Sequence, residues 1–269
     1  MESSDSDSDS DSELHPLPAI HEAVRALDID ALRRALEDGA SIDQEDEGGW
    51  TPLYRACADR GFCRASDYAN ANVPEYWHKR VADRVAVVRD LLNNGADPNV
   101  RCTNDSYGGE SPLHAAALDS AFPSSDIVTL LISAGGDVNA VDQGQFSVLY
   151  VAAQNGRAET VSQLIAAGAD IHRKWRDAFT PLEGATLDTS NSNYHTYAPL
   201  LRAGAELPPA DRHNAYLKKI AATPGGFPAY ELEHRRRLTA VFANKFPQLP
   251  VEVISHIVLL WGHCGEYLY

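Results

Sequence analysis

Ten histidines and four cysteines are the side chains best suited to covalent or metal chemistry, and their spacing withholds the partners such chemistry needs. No two histidines stand four residues apart around a glutamate, the spacing by which one helix face presents a zinc site and its general base. Cys57, Cys63, Cys102 and Cys264 form no CxxC pair, and reduced thiols are expected. His263-Cys264 is a thiol–imidazole pair lacking a third, orienting group. The chemistry the spacing does favour is recognition. Trp50, Glu110, Phe146 and Phe179 each stand immediately before a short phrase led by serine or threonine. Three of the four are aromatic, and rigid rings carry a disproportionate share of interface energy. Arg55 and Tyr107 lie close to them in sequence. Further along, His172-Arg173-Lys174-Trp175-Arg176 is basic around a tryptophan, whereas Asp43-Gln44-Glu45-Asp46-Glu47 is almost wholly acidic. A partner of opposite polarity would be steered into one register. A second reading stays open, in which the rings pack on neighbouring segments and the charges are only solvated.

The elements that position these residues follow from the phrases themselves: Thr51-Pro52-Leu53-Tyr54, Ser111-Pro112-Leu113-His114, Ser147-Val148-Leu149-Tyr150 and Thr180-Pro181-Leu182-Glu183. A hydroxyl at the N-cap accepts from a free backbone N–H, and proline suits the first helical position, so each phrase starts a helix. Gly39-Ala40, Gly95-Ala96, Gly135-Gly136, Gly168-Ala169 and Gly204-Ala205 close apolar runs, as glycine does where helices stop. The period is 33 where nothing is inserted, as from Gly135 to Gly168 and from Ser147 to Thr180. Such a period implies stacked units that cannot bury their apolar faces alone. With Leu91-Leu92, Leu131-Ile132, Leu164-Ile165 and Leu200-Leu201 in the second halves, the chain resembles the ankyrin-repeat family over roughly residues 17 to 208. The resemblance implies an all-α solenoid of about five repeats, with Trp50, Glu110, Phe146 and Phe179 facing its concave groove and His114 bonding neighbouring helix starts.

Residues 1–14 read as a disordered acidic tail, with six acidic residues and no basic one from Met1 to Glu13. Residues 15–208 read as the repeat domain, with an insertion at about 62–84 in the second repeat. There Trp77, Val81, Val85, Val88 and Leu91 recur at spacings of three and four, predicting one helix over residues 74–94. Residues 209–269 read as a helical cap over the last repeat, with helices at 210–222 and 229–244 and a final one after Pro250. The net charge of −15 disfavours nucleic-acid binding, and no apolar run approaches the ~20 residues that span a bilayer.

Leu249-Pro250-Val251-Glu252-Val253-Ile254-Ser255-His256-Ile257-Val258, within a segment 248–262, resembles the opening of an F-box, and more distantly a SOCS box. That resemblance implies docking on a ubiquitin-ligase adaptor through Leu249, Pro250, Val253 and Ile257. A cap helix turned inward is the reading the pattern favours. The expectation is a cytoplasmic or nuclear monomer that binds a protein partner non-covalently, without catalysis, cofactor, metal, nucleic acid or membrane.

Overall fold

The computed structural model describes residues 18–58, 74–103, 108–118, 125–187 and 193–264, with backbone alone at 74–77 and 259–264. The acidic tail and Tyr107 lie outside the described residues, as does the insertion before residue 74.

Hydroxyl caps open the helices as their chemistry requires. Thr51 Oγ1 accepts from the Tyr54 N–H at 3.2 Å and Ser147 Oγ from the Tyr150 N–H at 3.1 Å. Thr180 and Glu183 form a reciprocal capping box. The first repeat holds α1 (Ala19–Ala26) and α2 (Ile29–Glu37), and the second α3 (Pro52–Cys57) and α4 (Pro74–Asn93). Next come α5 (Pro112–Leu118) with α6 (Ser125–Ser133), α7 (Val148–Gln154) with α8 (Ala158–Ala166), and α9 (Pro181–Thr186) with α10 (Tyr197–Arg202). The glycines that end the second helices have φ between 90° and 98°, where a side chain would be strained.

First helices stack on first helices and second on second, in two parallel rows. The fold is an all-α solenoid, with two isolated β-bridges and no strand among the described residues. In the second to fifth repeats one leucine per helix fills the space between the rows: Leu53, Leu113, Leu149 and Leu182 from the first helices, Leu91, Leu131, Leu164 and Leu200 from the second. Each is essentially inaccessible, and burial of such a side chain contributes about 2 kcal/mol. The helix expected over 74–94 runs from Pro74 to Asn93. Arg84 holds it to the stack, donating from Nε to the Ala56 carbonyl and from Nη2 to the Cys57 carbonyl, both at 2.6 Å. The guanidinium thereby satisfies the free carbonyls at the end of α3.

One position in each first helix reaches across to the next repeat. His21 Nε2 bonds the Gln44 carbonyl at 2.7 Å, the Tyr54 hydroxyl donates to Glu110 Oε2 at 2.5 Å, and His114 Nε2 bonds the Phe146 carbonyl at 3.1 Å. His114 Nδ1 accepts from the Ser111 backbone N–H at 3.2 Å, so its proton sits on Nε2, which donates. Tyr150, at the same position of the fourth repeat, finds no hydrogen-bond partner for its hydroxyl among the described residues. Its ring lies against Gly184 instead, where a Cβ would stand 2.6 Å from Tyr150 Cε2. A second set of cross-links joins the finger loops. Asn99 accepts from the Asp137 N–H at 2.8 Å and donates to the Gly135 carbonyl, and Asn139 does the same for Asp170 and Gly168.

Beyond the repeats the structure departs from expectation twice. The helix expected over 210–222 is split into a 3₁₀ turn at Ala210–Arg212 and α11 (Ala215–Ala222). Asn214 breaks it, because its side chain caps the Leu217 N–H at 2.9 Å. α12 (Gly226–Lys245) then leads to α13 (Val251–Cys264). Leu217, Ile220 and Phe227 join the continuous core and cover its end, so α11 and the start of α12 serve as the cap. α13 packs back along α12, and its buried residues Ile254 and Val258 lie outside that core. Among the described residues the inward face of the helix after Pro250 is thus buried on α12 and adds nothing to the core of the repeats.

Burial pushes the His114 imidazole down to about 4, and lowers His21 in the same direction. An unfolded histidine takes up its proton near pH ~6.5, so the unfolded state gains protons first as pH falls. The His114 contribution is therefore complete above pH ~6.5 and is lost toward pH ~4, by up to about 3 kcal/mol. Urea midpoints are expected to drop between pH 7 and 5, and His114→Gln to lower the pH 7 midpoint while flattening that drop. Equal slopes in both proteins would place the titrating group elsewhere.

Candidate functional site

An aspartate sets two of the three aromatic rings that stand before a helix start, Trp50 and Phe146. In the first finger Asp46 Oδ1 accepts from the Gly48 N–H at 2.9 Å and the Trp50 N–H at 3.2 Å, while Oδ2 takes Arg55 Nε at 2.8 Å and Nη2 at 2.5 Å. The Arg55 guanidinium then lies 3.6 Å from the Trp50 ring centroid. The buried carboxylate fixes the arginine, and the arginine fixes the indole. Asp142 repeats the device, accepting from the Phe146 N–H at 2.8 Å, and burial holds its carboxyl above the ordinary range. Asp46 and Asp142 both stand four residues before a ring, a spacing visible in the sequence although the sequence reading passed over it.

The fourth finger turns through Arg176 and Asp177, both left-handed, with φ of 48° and 56°. Trp175 and Phe179 bridge its base, the Trp175 N–H donating to the Phe179 carbonyl at 2.8 Å. The Trp175 side chain folds back on the preceding finger: its indole N–H donates to the Gly144 carbonyl at 2.9 Å and its ring stacks on Phe146 with centroids 4.7 Å apart. Tyr150 and Phe179 lie 5.8 Å from it on other sides. Arg212 closes this end of the stripe, 4.5 Å from the Phe179 centroid and 3.4 Å from Glu183 Oε1. The sequence reading missed Arg212, which lies 33 residues beyond Phe179 outside any repeated phrase.

The predicted residues therefore fall into two groups. Trp50 and Arg55 form one, and Phe146, Trp175 and Phe179 form another, each ring partly exposed. Arg173 and Arg176 are exposed beside the second group, with the Arg176 guanidinium 5.2 Å from the Trp175 centroid. Glu110 belongs to neither surface. Expected to be exposed, it is 9% accessible, because the Tyr54 hydroxyl of the preceding repeat reaches its carboxylate. Leu249, Pro250, Val253 and Ile257 sit apart, at and within α13. Among the described residues no group of His, Cys, Asp or Glu side chains converges as a metal site, and no helix is long and apolar enough to cross a membrane.

The family described as ankyrin repeats, in three copies, matches residues 80–174. The chain carries ankyrin repeats. It is 29% identical over 155 residues to transient receptor potential cation channel subfamily A member 1 of Drosophila melanogaster, a match covering 58% of this chain and 11% of the relative. It is 33% identical over 102 residues to alpha-latrocrustotoxin-Lt1a of Latrodectus tredecimguttatus, covering 38% of this chain and 7% of the toxin. Protein phosphatase 1 regulatory subunit 27 of Homo sapiens is 46% identical over 48 residues, 17% of this chain and 31% of the relative. The chain thus spans less than a third of each of these relatives, and what they share with it is the repeat itself.

Within the ankyrin fingers the aspartate is the residue on which ring placement turns. Asp46→Ala would leave Arg55 without its carboxylate and free the Trp50 N–H, at a cost of about 3 kcal/mol. A lower melting temperature and a blue-to-red shift of tryptophan emission are expected. An unchanged melt would show that the finger is held by its backbone alone.

Proposed function

We propose that this chain works by non-covalent capture of a protein partner laid across the ankyrin fingers and first helices, without catalysis, in the cytoplasm or nucleus. Ankyrin repeats support protein–protein interaction. The observation that carries the finer reading is that the rings of the stripe are partly exposed yet already fixed: Trp50 by Arg55 and Asp46, Phe146 and Phe179 by Trp175. Rings held in place before binding lose little freedom on contact, so more of their interaction reaches the affinity. The acidic first finger and basic fourth finger supply polarity for a partner in one register. Trp50→Ala and Phe179→Ala are each expected to weaken capture of that partner by about 2 kcal/mol, some thirtyfold, while moving the melting temperature by only a few degrees. Equal losses of stability and binding would make the rings structural.

A second reading, recruitment of a substrate to a ubiquitin ligase, is favoured by the state of α13. Val251, Val253 and Ile257 are 57%, 44% and 37% accessible, an open apolar face following Leu249-Pro250. Ile257→Asp is expected to keep fold and melting temperature while removing ligase components from the captured proteins. Ile254→Asp, placing a charge in the buried seam with α12, is expected to unfold that helix pair. Recovery of the same ligase components with Ile257→Asp would dismiss this reading.

A further inference from the structure

The tip of the fourth finger carries a backbone strain that the first two fingers avoid. In those two, glycines take the left-handed positions, Gly49 at φ 69° and Gly109 at 73°. In the fourth, Arg176 and Asp177 take them in succession, inside a turn closed by the Ala178 N–H on the Trp175 carbonyl at 2.9 Å. A turn with two left-handed central residues suits glycine or asparagine, and an arginine held there is strained. What the strain secures is a charge at the tip. Arg176 is exposed beside exposed Arg173 and Lys174, and Asp177 is the one carboxylate between His172 and Phe179. Among the described residues none of these three cations is ion-paired, whereas Arg55 of the first group is taken by Asp46.

The rings behind the tip are packed on one another. Phe146 meets Trp175 and Tyr150, Trp175 meets Phe179 as well, and Phe179 meets the Arg212 guanidinium. With their faces so engaged, what the partly exposed rings offer outward is chiefly edge, where an aromatic ring carries the positive side of its quadrupole. Ring edges and guanidiniums both favour a carboxylate, the guanidinium through paired N–H donors. A nucleobase would need an open ring face on which to stack, and the net charge of −15 repels its phosphates.

We propose that this end of the stripe binds an extended acidic segment of the partner, an aliphatic side chain on the ring edges of Phe146, Trp175 and Phe179 and carboxylates on Arg173, Arg176 and Arg212. The proposal rests on the stripe being the capture surface and names the chemistry selected there. Successive fingers stand about 10 Å apart, so about three extended residues reach from one to the next. Arg212 uses one nitrogen on Glu183 at 3.4 Å and has further donors in its fork. Asp43, Glu45 and Glu47 of the first finger repel such a segment, which settles it at the carboxyl-terminal end of the array. The chain's own acidic run does not suit, because from Glu2 to Glu13 it has no aliphatic side chain to lie on the rings.

The test selects random peptides of about twelve residues, roughly 40 Å when extended, from a phage library on the full chain, and measures the enriched sequences by fluorescence anisotropy. They should carry aspartate or glutamate within a few residues of an aliphatic side chain, and bind more weakly as salt rises. Arg176→Gly removes the guanidinium and relieves the turn, so the melting temperature should hold or rise while affinity falls at least about tenfold. Arg173→Glu should weaken binding as much with an unchanged melt, and Asp177→Gly, which relieves the same turn and removes a like charge, should leave affinity intact or raise it. Indifference of the acidic peptides to Arg176→Gly and Arg173→Glu overturns the proposal. Enriched peptides that are neutral or basic yet lose binding with Phe179→Ala also overturn it, and leave capture by the stripe standing. Peptides indifferent to Phe179→Ala overturn both. A single-stranded oligothymidylate that binds where no acidic peptide is enriched overturns it in favour of a nucleic acid.

Discussion

A finger loop has no sheet to lie in, and its orientation comes from a side chain belonging to the repeat before it. His21, Tyr54 and His114 occupy one helical position and each delivers a hydrogen bond to the next finger, two of them to backbone carbonyls. The His114 bond ends on the carbonyl of Phe146, a residue whose ring belongs to the aromatic stripe. The binding surface is thus assembled between repeats. A single repeat excised from the array would keep its helix caps and its aspartate–ring contacts and lose the bond that sets its finger against the preceding helix.

Magnitudes separate what holds the array from what orients it. A buried hydrogen bond contributes about 1 kcal/mol net, against about 2 kcal/mol for each leucine sealed between the helix rows. The leucines outweigh the bonds in stability, yet they are equivalent from repeat to repeat and would tolerate a shifted stack. The Asn99 and Asn139 cross-links admit one register, because each amide meets both an N–H and a carbonyl of the following finger.

Local chemistry was the legible part of this chain. Caps, closing glycines and the period of 33 place nearly every helix of the repeats, and the apolar stripe from Trp77 to Leu91 places α4 to within a residue. What escaped depended on neighbours distant in sequence. Glu110 reads as a surface charge until Tyr54 is seen to arrive from 56 residues away. Trp175 reads only as the ring of a basic finger, whereas the preceding finger offers it Phe146 and the Gly144 carbonyl. The break at Asn214 was legible in principle, since asparagine is a strong N-cap, but a continuous run of helix formers on either side hid it.

The contact between Tyr150 and Gly184 gives the last seam of the array a different temperament from the earlier ones. Where His21 and His114 span a junction, acid attacks the link directly, because a protonated imidazole is poorly housed in a buried site. Between the fourth and fifth repeats the polar link is replaced by the fit of a ring against a bare backbone. That contact of ring and backbone exchanges no proton as the imidazoles do and is intolerant of a single methyl group. On acidification the junctions spanned by His21 and His114 would loosen while the contact of Tyr150 with Gly184 persists, and over evolutionary time position 184 would accept few residue types.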